Sequence, residues 1–293
     1  MFRHNANSYE LQEQSCNRPF GSSLRLSVVP MAAGLIVCAI AQDTPAKAAV
    51  APETFEFANI HFETNASACD MGIQILFDTE GVTEGSVEDP NKQLVYSFQT
   101  TLGMEETHDQ TEGFQERVEP PIIDLENALG CEPSPDAISL DQLLTAWPAG
   151  TYKFEGTSSG VQFEGKAKLT HKIPAGPVIR APADGAVVPH DRALVIKWNK
   201  VTGPLLPNLG PVQIVGYHVV VADTGAPALP GAPPAQLDGD VSQNETSFTV
   251  PKQYLEPNKK YEFEVLATER GNNQTITEGG IFCTAPITVA DCQ

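Results

Sequence analysis

The sequence predicts a mainly β protein made of two β-sandwich-like modules in tandem. Three observations carry this. Apolar residues recur at every second position in short runs, which marks strands with one buried face. Pro and Gly together supply 47 of 293 residues, a density suited to many turns between short strands rather than to long helices. The length fits two domains of about 100–150 residues each.

Residues 1–48 are set apart from the fold. Arg3, Arg18 and Arg25 precede an uncharged apolar run, Leu26–Ala41, which falls short of the roughly 20 residues of a membrane-spanning helix. Small residues follow at signal-peptidase spacing, Ala39-Ile40-Ala41 or Ala46-Lys47-Ala48. An export signal is therefore expected, with a retained anchor as the alternative. The expected location is secreted, periplasmic or cell-surface, with no membrane insertion after cleavage.

Beyond residue 48 the chain carries 14 Lys and Arg against 34 Asp and Glu. The excess is uneven: 22 acidic and 6 basic residues over 49–172, but 12 and 8 from Ile173 onward. Nucleic acid and anionic lipid need cationic groups to replace their counterions, so both are excluded as partners. Four cysteines follow the signal, Cys69, Cys131, Cys283 and Cys292. An even number in an exported chain points to disulfides, for which four cysteines allow three pairings. The pairing that keeps each bridge within one module, Cys69–Cys131 and Cys283–Cys292, is favoured. No pair has the CxxC spacing of a zinc site.

The first module is expected over 49–173. Phe55 and Phe57, then Ile60 and Phe62, flank a slip in the alternation that predicts a bulge or turn near Asn59. Ile73, Ile75 and Phe77 form one strand face, and Leu94, Tyr96 and Phe98 another. Asp89-Pro90-Asn91-Lys92 reads as a turn, with Asn91 as its left-handed residue. Tyr152 and Phe154, then Val161 and Phe163, read as a hairpin around Gly156–Gly160. A single short helix is predicted: Ser139 with Gln142 makes a capping box, Leu140, Leu143, Leu144 and Trp147 share a face, and Pro148 ends it. The acidic segment Gly103–Pro121 has no apolar rhythm and is expected to be a long exposed loop.

A linker is placed at 174–178, a second module at 177–283 and an extension at 284–293. Leu194, Ile196 and Trp198 alternate, as do Tyr217, Val219 and Val221, then Tyr261, Phe263, Val265 and Ala267, with a short strand at Phe248 and Val250. Trp198 on the second strand, Gly216-Tyr217 opening the third, and Leu255-x-Pro257-x-x-x-Tyr261 resemble a fibronectin type III domain, an immunoglobulin-like sandwich. The last resembles its tyrosine corner, in which a Tyr at the start of a late strand bonds back to upstream backbone. Trp198, Leu255, Pro257 and Tyr261 are thereby implied to be structural. The Pro-, Gly- and Ala-rich segment Thr224–Asn244 and the Cys283/Cys292 extension depart from the family. In the first module, Phe62–Ser67, Met71–Ile75, Gly150–Gly156 and Leu169–Pro177 resemble exported bacterial proteins that couple an uncharacterised β-rich region to such a domain. That resemblance implies no activity.

Candidate chemistry is sparse. Gly156-Thr157-Ser158-Ser159-Gly160 matches G-x-S-x-G, but a nucleophile elbow needs a helix after it, and Val161 opens another strand. His61, His108, His171, His190 and His218 are scattered, with no H-E-x-x-H among them. Asp70, Asp78 and Glu80 bracket one strand, and Glu105, Glu106, Asp109 and Glu112 crowd one loop. These are the candidates for calcium ligation or for a carboxylate pair, although no D-x-D-x-D-G loop is present. Glu269–Gln274 corresponds to a loop that serves for recognition on such sandwiches. Asn65, Asn244 and Asn273 head N-x-S/T triplets, relevant to glycosylation in a eukaryotic secretory route. No catalytic or cofactor-binding residue is assigned, no cofactor is expected, and any metal site is left open. The expected function is a non-catalytic binding or structural protein contacting an unidentified protein or polysaccharide. A hydrolase using acidic residues of the first module and a calcium-stabilised adhesion module are the alternatives.

Overall fold

Two sheets enclose the core of the first module. The structure is a computed structural model and describes residues 51–101, 110–116, 119–224 and 236–292; the expected export signal at 1–48 lies outside these. The strands are β1 (Glu53–Thr54), β2 (Phe57–Asn65), β3 (Asp70–Val82), β4 (Glu84–Glu88), β5 (Leu94–Gln99), β6 (Gln110–Glu116), β7 (Gly150–Ser158) and β8 (Val161–Leu169). One sheet runs β1-β8-β7-β4-β5, and β2, β3 and β6 are neighbours in the other. Ile60, Phe62, Ile73, Ile75 and Phe77 meet Tyr152, Phe154, Phe163 and Leu169 between them, all buried. Alternation decides this: each inward residue is flanked by one that faces away.

Two short helices close the module, α1 (Ile123–Leu129) and α2 (Leu140–Ala146). Helix α2 has the expected capping box, with Ser139 accepting from the Gln142 N–H and the Gln142 side chain accepting from the Ser139 N–H. Helix α1 is an addition to the single helix predicted. It is only seven residues long, its N-cap Ile122 makes no side-chain cap, and it ends at Gly130, whose N–H returns to the Glu126 carbonyl. Buried Ile122 and Leu125 anchor it. The Asp124 carboxylate accepts from the Leu140 N–H at 2.8 Å, so the first helix helps to start the second. The Cys69–Cys131 bridge ties the β2–β3 turn to the segment after α1.

The second module contains β9 (Ile179–Ala181), β10 (Ala186–Val188), β11 (Leu194–Trp198), β12 (Ile214–Asp223), β13 (Gln236–Ser242), β14 (Ser247–Val250), β15 (Lys260–Glu269) and β16 (Gln274–Thr284). A sheet ordered β14-β11-β9 faces the strands β13-β12-β15-β16, the fibronectin type III-like arrangement. Its core holds Ile196, Trp198, Tyr217, Val219, Val221, Tyr261, Phe263, Val265 and Phe282. Trp198 is 3% exposed and lies 5.3 Å, centroid to centroid, from Tyr217. Tyr261 donates its hydroxyl to the Tyr254 carbonyl at 3.1 Å and accepts from the Glu256 N–H at 2.9 Å. Leu255 between them is buried. Burial raises the Tyr261 hydroxyl pKa above its ordinary value and pushes that of Tyr254 up to about 12; both remain neutral donors. Cys283–Cys292 staples a terminal helix, α3 (Val289–Cys292), to the last strand.

The second module's last strand also pairs in parallel with β2 of the first: Gln274 lies opposite Glu63, Thr275 opposite Thr64 and Ile276 opposite Asn65. An eight-stranded sheet therefore runs β13-β12-β15-β16-β2-β3-β6 through both modules, with β10 attached to β16.

Several local expectations are corrected. No bulge occurs at Asn59, because β2 pairs with β3 in unbroken register from Phe57 to Asn65. The slip arises where the chain leaves β1 in one sheet and enters β2 in the other. Phe55 is left inside, against Phe77, Phe154 and Phe163, and Phe57 outside at 48% exposure. Lys92, not Asn91, takes the positive φ in the 89–92 turn, where the Asp89 carboxylate accepts from the Asn91 and Gln93 N–H groups. The β7–β8 hairpin turns on Ser159-Gly160 alone, both at positive φ, as a two-residue turn requires. The acidic segment contains the edge strand β6, whose polar sequence hides it. Thr224–Asn244 likewise contains β13.

Tyr261→Phe removes both hydrogen bonds of the corner while keeping the ring. It is expected to lower unfolding free energy by about 1–3 kcal/mol, read from urea denaturation, with no change in the far-ultraviolet spectrum of the folded protein.

Candidate binding site at the junction of the modules

The turn between β15 and β16, which would be a free loop on an isolated sandwich, is folded into the junction. Asn273 is fully buried. Its side-chain oxygen accepts from the Phe62 N–H of β2 at 2.9 Å. Its amide nitrogen donates to the Thr170 carbonyl at 2.9 Å and the Lys172 carbonyl at 3.0 Å, with the Thr170 hydroxyl at 2.9 Å. One side chain thus satisfies backbone groups from β2 and from the last segment of the other module. Around it, Thr275 donates to the Pro174 carbonyl at 2.6 Å, the Ala66 N–H donates to the Ile276 carbonyl at 2.9 Å, and Asn65 donates to the Glu278 carboxylate at 2.9 Å. Ile173 is buried in the first core, so the segment between the modules is held at both ends.

Gly271 is set by close approach. A Cβ there would collide with the Glu269 carboxylate and the Thr170 hydroxyl. Glu269 is itself buried and turned inward, accepting from Thr170 and Asn273. The recognition role expected for Glu269–Gln274 is accordingly reassigned: most of this loop holds the two modules together, and only Arg270 and Asn272 within it are exposed.

Beside the junction lies an open groove of about 630 Å³. Lys166 and Lys168 reach it from the outward face of β8, alternating with buried Ala167 and Leu169. Lys172 follows, and Arg270 enters from the β15–β16 turn, its N–H fixed by the Gln213 carbonyl at 2.9 Å. Asn59 and Asn272, hydrogen-bonded to each other at 3.1 Å, line the floor. Among the described residues, none of these four cations has an ion pair within 4 Å. Three of the first module's six basic residues therefore converge on one groove of an acidic chain, a surface that attracts carboxylates.

The acidic candidates fall in two places: Asp78, Glu80 and Glu112 lie near one another, beside Glu56, and Asp70 lies apart. Asp70 and Asp78 sit at opposite ends of the stretch of β3 that pairs with β2, with Asp70 paired to Asn65 and Asp78 to Phe57, about 25 Å apart at strand rise. Burial pushes the Asp70 carboxyl up to about 6, opposed by a hydrogen bond to Glu119. Glu56 and Glu80 are hydrogen-bonded at the exposed end of the strand pair, which raises the Glu56 pKa. Glu112 faces Asp78 across β3 and β6; Glu105, Glu106 and Asp109 lie outside the described residues, as does His108. Among the described residues, no group of three or more His, Cys, Asp or Glu is arranged to hold a metal ion. Ser158 of the G-x-S-x-G pattern ends a strand and is buried, with a hairpin and no helix after it. His218 bonds Asp240 at 2.7 Å on the outer face of β12. Of the three N-x-S/T asparagines, Asn65 and Asn273 are buried and hydrogen-bonded, and only Asn244 is exposed.

No family model and no curated protein matches the chain. Solved structures of fibronectin type III proteins do. The FN1–FN3 domains of chicken CNTN1 match at 10% identity and TM-score 0.28, covering 79% of this chain and 65% of that one. A two-domain fibronectin type III segment from chicken tenascin matches at 9% identity and TM-score 0.25, covering 78% and 97%. A fourth FNIII domain from a human protein matches at 16% identity and TM-score 0.25, covering 40% and 80%. This chain thus spans about two thirds of the CNTN1 segment's length. Likeness this distant carries no argument about ligand or activity.

Asn273→Ala leaves the Phe62 N–H and the Thr170 and Lys172 carbonyls without their partner. Unfolding free energy is expected to fall by about 3 kcal/mol or more, against about 0.5 kcal/mol or less for exposed Asn272→Ala, both read from urea denaturation.

Proposed function

We propose that this chain is a non-catalytic exported protein that binds a partner at the cell surface or in the extracellular space. The observation that carries the reading is the junction groove: a fixed cationic surface in an acidic protein, held rigid by the buried Asn273 contacts. A loop used to lock two modules gives up its freedom to adapt to ligands, and what it creates is a preformed site. The two disulfides suit an oxidising compartment, and no helix among the described residues is long and apolar enough to cross a membrane. The partner is a protein or polysaccharide. Nucleic acid is disfavoured by the charge of the rest of the surface. The hydrolase alternative needs two carboxylates facing each other across a cleft, and Asp70, Asp78, Glu80 and Glu112 do not line the junction groove.

Purified protein is expected to show no turnover on ester, peptide and glycoside panels. Turnover abolished by replacing one acidic residue, such as Glu80→Gln, would overturn the reading.

A further inference from the structure

The outer face of β2, β3 and β6 carries apolar side chains that no core covers. Ile75 and Phe77 of β3 point into the first core, so Leu76 and Asp78 face outward. Gly113 of β6 lies against the Phe77 ring, which turns Phe114 outward at 59% exposure. Phe57 of β2 is exposed as well. Register brings the three apolar residues together. Phe114 stands directly opposite Leu76. Phe57 stands opposite Asp78 and is the diagonal neighbour of Leu76, at about 7–8 Å. Single exposed apolar residues need no explanation, but a contiguous patch with two aromatic rings marks an interaction surface. It shares no lining residue with the junction groove.

Carboxylates are set among these rings. Phe57, Asp78 and Glu112 form one row across the three strands, about 7 Å along the strands from the row of Leu76 and Phe114. Glu56 and Glu80 lie at the end of the same strand pair, where the hydrogen bond with Glu80, and then repulsion from Glu80 and Asp78, holds the Glu56 carboxyl above its ordinary value. Among the described residues, none of Glu56, Asp78, Glu80 and Glu112 has a cationic partner within 4 Å.

We propose that this face binds an arginine-bearing basic segment of a partner protein. A guanidinium uses both features at once: its flat side stacks on an exposed ring, its N–H edge pairs with carboxylates, and its apolar stem covers Leu76. A second copy of the chain fits less well, because a two-fold contact sets each patch of carboxylates against its own copy. A neutral sugar stacks on the rings but leaves the carboxylates without a counter-charge. This surface is additional to the junction groove and does not depend on it.

The test titrates the purified protein into a short fluorescein-labelled peptide alternating Arg with Ser, followed by anisotropy at about 50 mM and about 300 mM salt. Saturable binding is expected, weakened by raised salt and about tenfold or more by either Phe57→Thr/Phe114→Thr or Asp78→Asn/Glu112→Gln. Asp238→Asn/Asp240→Asn, which removes exposed carboxylates of β13, is expected to leave binding unchanged. The same peptide with Lys in place of Arg is expected to bind about threefold or more weakly, through loss of stacking. Circular dichroism checks that each variant is folded, and the carboxylate pair keeps the test decisive if the Phe pair does not fold. Four results overturn the inference: no saturable binding, equal weakening by the β13 pair, equal affinity for the Lys peptide, or displacement of the Arg peptide by cellohexaose. Sedimentation that shows a dimer lost in the Phe57→Thr/Phe114→Thr protein overturns it too, by assigning the patch to self-association.

Discussion

The parallel pairing of β16 with β2 is the constraint on which the rest of the structure depends. It joins the final strand of one sandwich to a core strand of the other, so that two hydrophobic cores sit on one continuous sheet. An edge strand left open presents a row of unpaired N–H and C=O groups, and here each module supplies what the other's edge lacks. The pairing is short, three residue pairs. The Asn273 side chain extends it by satisfying backbone groups on Phe62, Thr170 and Lys172. The junction is thus polar and directional rather than a patch of apolar burial, and its geometry fixes where Arg270 stands relative to the β8 lysines.

Much of the second module was legible in the sequence. Its strands bury one face, so Leu194, Ile196 and Trp198 announce themselves by period alone, and the spacing of Leu255, Pro257 and Tyr261 specifies a corner that local hydrogen bonds complete. The first module was legible only in part. The capping box of Ser139 and Gln142 could be read because its partners are three residues apart. The sheet switch at Phe55 could not, since a crossing between layers and a bulge within a strand leave the same slip in alternation. β6 and α1 were hidden for a different reason: a polar edge strand and a seven-residue helix carry too few apolar positions to establish a period.

The candidate site was illegible for a deeper reason. Its residues come from β2, β8 and the β15–β16 turn, and the Asn273–Phe62 bond spans 211 positions of sequence. No local pattern encodes that distance. In sequence, Asn273 belongs to an N-x-T triplet in a surface loop, and Lys166 and Lys168 are ordinary outward residues of an alternating strand. Only the fold shows that the first is an internal fastener and that the others share a groove with Arg270. The uneven charge, with the acidic excess concentrated in the first module, made a local cationic surface there still less expected.

The long span closed by the shared sheet also bears on how the chain reaches its native state. β2 stays incomplete until β16, more than two hundred residues later, has been made and delivered. Closing so large a loop costs entropy before any contact repays it, which slows folding and prolongs the exposure of unpaired edges. The local hairpins of β7 with β8 and β15 with β16 can form early and wait. The junction is therefore a late checkpoint in assembly: until it closes, β2 and β16 each present an unpaired edge, and a chain stalled there is more prone to aggregate.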